Sequence, residues 1–133
     1  MGRVKGIQGN LWRRSLAGNR PHYNLDAWKE AMALVSLVYK VSQRFPKAEI
    51  YGLTSQLRRA AVSVPSNLAE GAGRHGSREF AQFLSIAMGS ISELETLLLI
   101  AADLGYVARE SAIFDLLERV SKLVSGLHKS VRS

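Results

Sequence analysis

Residues Ser55 to Gly71 are crowded with small side chains, and a proline stands inside the run at position 65. Leu53, Leu57, Ala60, Val64 and Leu68 recur at steps of three and four, which places them on one face of a helix. Arg58, Arg59, Ser63, Asn67 and Glu70 fall on the other side. Small residues on both flanks let neighbouring backbones come close, so this helix is expected to be packed on more than one side. Pro65 removes one backbone hydrogen bond and clashes with the carbonyl of Ala61, so one helix with a kink is expected. The alternative is two helices, with Pro65 opening the second. Gly71-Ala72-Gly73 reads as the C-terminal stop.

Three further segments carry the same period. Trp28, Ala31, Val35, Val38, Ser42 and Phe45 form one stripe, with Asn24 as the expected N-cap, Asp26 in the first turn and Pro46 as the terminator. Phe80, Leu84, Ala87, Ile91, Leu94, Leu98 and Ala101 form a seam after Ser77, the expected cap, and Phe83, Ile86, Ser90, Leu97 and Ile100 lie beside it. Two adjacent seams imply a helix facing more than one neighbour. Gly105 is the natural stop. The last helix is expected from about Arg109, with Ile113, Leu116, Val120, Leu123, Leu127 and Val131 as its stripe and a basic end at Lys122, Lys129 and Arg132. No region alternates as strands do. The expected fold is all-α, an antiparallel up-down-up-down four-helix bundle over residues 23–133.

At 133 residues the chain has the length of one domain and can bury a self-sufficient core. It has no cysteine, which removes disulfides, thiolate nucleophiles and cysteine metal sites together. No continuous apolar run approaches the roughly 20 residues of a membrane span, and the start does not resemble a secretory signal. A cytoplasmic protein with no membrane partner is expected.

The net charge of +7 is unevenly spread. Residues 1–22 hold Arg3, Lys5, Arg13, Arg14 and Arg20 and no acid, while the rest of the chain is nearly balanced. The segment 1–22 reads as a basic, disordered leader. Its Arg13, Arg14 and Arg20 are candidates for contacting phosphates by counterion release.

The runs Tyr23–Trp28, Phe45–Leu53, Gln56–Gly71, Glu79-Phe80, Ile86–Glu95 and Leu104-Gly105-Tyr106 resemble the four-helix bundle family of 23S rRNA intervening-sequence proteins. The resemblance covers roughly residues 23–130 and leaves the leader outside it. The family is named for reading frames inserted in ribosomal RNA genes. It is similar to the accessory protein of diversity-generating retroelements, which partners a reverse transcriptase. The resemblance implies a basic, ring-shaped homopentamer whose biochemical activity is largely unassigned. The nearly balanced body of this chain departs from that basic character.

Arg58 and Arg59, with Arg74, His75 and Arg78 around the next loop, are candidates for a basic patch that holds phosphates. The planar guanidinium fork of arginine suits two phosphate oxygens. The competing reading for Arg58 and Arg59 is pairing with Glu70, Glu93 or Glu95 inside the bundle. Aromatic residues are not interleaved with these basic ones, so stacking on single-stranded bases is not expected. Ser63, Ser66 and Asn67 have no histidine close in sequence and read as structural hydrogen-bonding groups. His22, His75 and His128 are scattered, and Glu93 and Glu95 point to different sides of a helix, so no metal set or cofactor is expected. The glycine-rich loop 71–77 lacks a preceding strand and a phosphate-binding lysine and reads as a turn. Ala61, Val62, Ala69, Ser85 and Gly89 are candidates for close packing by another subunit, unless the stripes are only wide core faces. The expected function is a non-enzymatic, self-associating bundle that binds RNA or DNA electrostatically. The alternative is a scaffold that docks a protein such as a reverse transcriptase.

Overall fold

In the computed structural model, which describes residues 19–132, the chain forms four α-helices: α1 (Asp26–Ser42), α2 (Leu53–Ala72), α3 (Ser77–Asp103) and α4 (Ala112–Arg132). Single turns of 3-10 helix at Pro21–Asn24 and Lys47–Glu49 precede α1 and α2, and no strand occurs among the described residues. The stripes read from the sequence become the core. Trp28, Ala31, Val38, Leu57, Val64, Leu68, Leu84, Leu94, Leu98, Ile113 and Val120 are all buried, while on α4 Leu117 and Val124 are buried and Leu116, Leu123, Leu127 and Val131 of the expected stripe are only partly buried. Burying a leucine or valine side chain stabilises the fold by about 1.5–3 kcal/mol each, which is why the period alone specifies four packed helices.

Each helix packs on the next, and α4 closes back on α1. The most extensive packing is between α2 and α3, where the small residues lie. Ser63 of α2 shares a 2.7 Å hydrogen bond with Ser90 of α3, and Ser85 of α3 lies 3.2 Å from Nε2 of His128 on α4. At the start of α1, Trp28 shares a groove with Pro65 and Ala69 from the second half of α2.

α2 is continuous through Pro65, so the two-helix alternative does not occur. Gly71 is not the stop: it lies inside α2, and a Cβ there would stand 2.7 Å from Cβ of Phe83 on α3. Gly73 is the C-cap instead. Gly105 does stop α3, with φ at 81°, where its N–H reaches Ala102 O at 3.0 Å and that of Tyr106 reaches Ala101 O at 2.8 Å. This paired closure needs a left-handed residue, which glycine adopts without a Cβ penalty.

The helix starts differ from expectation for local reasons. Pro21 opens a 3-10 turn that absorbs Asn24, and Leu25 becomes the N-cap of α1. Ser77 is already helical, with Gly76 before it as N-cap. α4 begins at Ala112 rather than near Arg109, because the Ser111 hydroxyl accepts the Ile113 N–H at 3.3 Å. α1 ends at Ser42, and a turn through Phe45 precedes Pro46. Glu49 ties the two ends of this region together. Its Oε1 accepts the Leu53 N–H at 3.2 Å at the start of α2, and its Oε2 accepts the Tyr106 hydroxyl at 3.1 Å. Partial burial, with the hydrogen bond and charge of that carboxylate, holds the Tyr106 phenol above its usual pKa.

α3 is long and apolar enough, by length and composition alone, to cross a membrane, although its apolar residues do not form one continuous run. Its inward seam lies in the core between α2 and α4. Away from the core, Ile86, Leu99 and Ile100 of α3 and Leu104 at its C-cap are about half exposed.

Candidate nucleic-acid interface

The end of α1 and the start of α2 build a cationic groove. Ser42 occupies the inward stripe of α1 and is buried, and its hydroxyl donates to Tyr39 O at 3.3 Å. Arg58, on the facing side of α2, donates from Nε to Ser42 Oγ at 2.8 Å and from Nη2 to Tyr39 O at 3.4 Å. Its guanidinium carbon lies 4.5 Å from the centre of the Tyr39 ring, a cation–π distance. The side chain is therefore held by neutral partners, with N–H groups to spare. Arg59 follows it and is exposed.

Both arginines line one groove of about 570 Å³ with Tyr39, Ile50, Thr54 and Val62. A second groove of about 460 Å³ shares Ile50, Thr54 and Arg58 with the first and adds Lys47. The two make a continuous trough with three cations along it. Among the described residues no carboxylate lines either part, and neither Arg58 nor Arg59 forms an ion pair. The expected pairing with Glu70, Glu93 or Glu95 is therefore not the arrangement found.

Glu70 pairs instead with Arg74, at 2.7 Å, and the Arg74 guanidinium also lies 5.1 Å from the Phe83 ring centre. Arg78 is exposed on the first turn of α3, and His75 is exposed in the loop before it. Arg59 stands about 20 Å along α2 from Ala72, its last residue, at 1.5 Å per residue, and Arg74 and Arg78 come after that end, so the structure does not gather the four arginines into one patch. Arg20 is exposed just before the turn that leads into α1, and its charge, after burial, lowers the pKa of His22 beside it. Arg13 and Arg14 lie outside the described residues.

Asn67 Nδ2 donates to Ser63 O at 2.8 Å and to Ser63 Oγ at 3.0 Å, which joins the Ser63–Ser90 bond into one inter-helix network. These groups bond to the backbone and to a neighbouring helix, as their positions in the sequence imply. The contact of Ser85 with His128 was not visible in the sequence, because 43 positions separate the two residues. Among the described residues no carboxylate is hydrogen-bonded to His128, and no group of three metal-ligating side chains occurs. Of the residues proposed for subunit packing, Ala61 is 1% exposed and belongs to the core, whereas Val62, Ser85 and Gly89 are exposed.

Sequence reasoning missed Tyr39, Ser42, Lys47 and Ile50 as parts of this site. Tyr39 is an aromatic off the apolar stripe and Ser42 a polar residue on it, which are the signals that mark them. The aromatic absent from the linear neighbourhood of Arg58 is supplied by α1, so the expectation of a basic patch without aromatics does not hold in space.

No curated protein matches this chain. The family model of the 23S rRNA-intervening sequence proteins matches residues 23–128, from the turn before α1 to near the end of α4. With about four-fifths of its length inside that match, the chain belongs to the 23S rRNA-intervening sequence protein family.

Proposed function

We propose that this protein is a self-associating, non-enzymatic helical bundle of the cytoplasm that holds the phosphates of RNA or DNA by charge. The observation that carries the reading is the trough in which Arg58, Arg59 and Lys47 stand without a carboxylate. Cations that lack an internal partner keep their field for an external anion. Arg58 is fixed in place by Ser42 and Tyr39, so little side-chain entropy is lost when an oxygen binds it. The excess of positive charge in the first 22 residues adds to the same attraction. Self-association, as the ring of five copies that the family resemblance implies, is supported by the half-exposed Ile86, Leu99 and Ile100 on α3 and Leu104 at its C-cap.

The test is the salt dependence of binding to a labelled RNA, followed by fluorescence anisotropy. The logarithm of the affinity is expected to fall linearly with the logarithm of salt concentration. Arg59→Ala is expected to lower the slope by about one, without altering the fold. Binding that ignores salt would sink the electrostatic reading. The apolar face of α3 also favours a second reading, a scaffold that docks a protein such as a reverse transcriptase. Loss of that partner with Ile100→Glu, while RNA binding persists, would favour it.

A further inference from the structure

The trough combines two chemistries that a phosphate-binding surface alone does not need. Its cations are Arg58, Arg59 and Lys47, and its floor and wall include Tyr39, Ile50 and Val62. Tyr39, Ile50 and Val62 are each 40–48% exposed. Tyr51, next in the chain to Ile50, is 95% exposed and makes no ring contact among the described residues. A duplex offers phosphates at its surface but keeps the faces of its bases stacked inside, so it makes no use of an apolar floor beside the cations. An unpaired nucleotide has both a flat apolar face and a phosphate attached to it. The groove volume of about 570 Å³ falls in the range of roughly 300–1,000 Å³ usual for small-molecule sites.

Resting on the reading of this protein as one that binds nucleic acid, we propose that the α1–α2 trough selects an unpaired nucleotide within a single strand. The base lies on the surface made by the Tyr39 ring and the Arg58 guanidinium above it, beside Ile50 and Val62. The adjoining phosphates meet Arg59 and Lys47 at the two ends. Arginine planes and tyrosine rings both stack on bases, and such stacking tolerates any base because each has a π face. Tyr51, exposed and next in the chain to Ile50, offers a second ring for the next base. No part of this depends on reading a sequence, so the selection is for strandedness.

The test compares a labelled 12-nucleotide deoxythymidine strand, a 12-nucleotide deoxyadenosine strand and the 12-base-pair duplex of the two. Each is titrated with the whole chain at one moderate salt concentration. Both single strands are expected to bind about tenfold or more tighter than the duplex. Tyr39→Leu keeps the bulk of the side chain and removes the ring. It is expected to weaken both single strands about fivefold to tenfold and the duplex clearly less, with the salt slope unchanged, because Arg58 keeps its charge and its bonds to Ser42 Oγ and to the main-chain carbonyl of residue 39. Tyr51→Ala, at a site too exposed to affect folding, is expected to weaken the single strands alone. Equal binding of strands and duplex, with both tyrosine variants unchanged, would overturn the inference and leave the electrostatic reading standing. No binding of any of the three, even at low salt, would overturn both. A change in the mass of the free protein on Tyr39→Leu would show the trough to be an interface between copies, and would overturn it as well.

Discussion

A single missing methyl group sets how closely α2 approaches α3. A side chain at position 71 would drive its Cβ to 2.7 Å from Cβ of Phe83 and 3.0 Å from the Phe80 ring, which are anchored on the facing helix. Gly71→Ala is therefore expected to destabilise the protein by about 1–3 kcal/mol, the usual cost of overpacking, read as a lowered midpoint of urea unfolding with an unchanged slope. The same substitution would stabilise an isolated helix, so the sign distinguishes tertiary crowding from propensity. That role was not legible in the sequence, where Gly71 and Gly73 form one breaker signal and only the position of Phe83 tells them apart. His22 is a second case. Its ring stacks edge-on against Trp28 at 4.8 Å, and burial, then the charge of Arg20, lower its pKa below 6.5. The fold favours the neutral ring. Its contribution to stability is complete above pH 6.5 and is lost as pH falls below that value, when the unfolded chain binds the proton first. The thermal midpoint is expected to fall between pH 7.5 and pH 5.5, and His22→Phe is expected to flatten that part of the profile.

Helices, more than their ends, were legible. The three- and four-residue steps marked the buried faces of α1, α2 and α3, because core burial is what the period encodes, whereas on α4 the buried face is turned toward Leu117 and Val124 and leaves Leu116, Leu123 and Leu127 partly buried. The ends depended on contacts that no period carries: a 3-10 turn at Pro21, a carboxylate from Glu49 at the start of α2, a hydroxyl from Ser111 at the start of α4. The second seam of α3 is where two readings diverged. Leu97 joins the core, but Ile86 and Ile100 stay 53% and 42% exposed. A contiguous exposed apolar patch commonly marks an interaction surface. Ile86→Glu is expected to change the stability of one copy by less than about 0.5 kcal/mol, since surface substitutions do little to a single fold. It is expected to reduce the mass in solution sharply. Leu94→Ala, on the buried seam of the same helix, is expected to lose about 2–5 kcal/mol instead. An unchanged mass with Ile86→Glu would remove α3 from the account of self-association.

Across the whole molecule, charge is arranged more tellingly than its total. A pairing of the arginines was legible in kind, since Glu70 does hold Arg74, but not in place. Which arginine keeps a partner depends on how α1 crosses α2, and that crossing supplies Ser42 and Tyr39 to Arg58 in place of a carboxylate. The trough thus became visible only when Tyr39, Lys47, Ile50 and the two arginines were seen on two helices and the turn between them. The most direct measurement is the mass of the protein in solution by light scattering, with and without a mixed RNA at low and at physiological salt, for the natural chain and for Arg58→Ala with Arg59→Ala. A multimer that takes up RNA at low salt, releases much of it at physiological salt and loses uptake with the two substitutions is the predicted result. A multimer that ignores RNA at both salt concentrations, or one that takes it up equally well without the two arginines, would contradict the account.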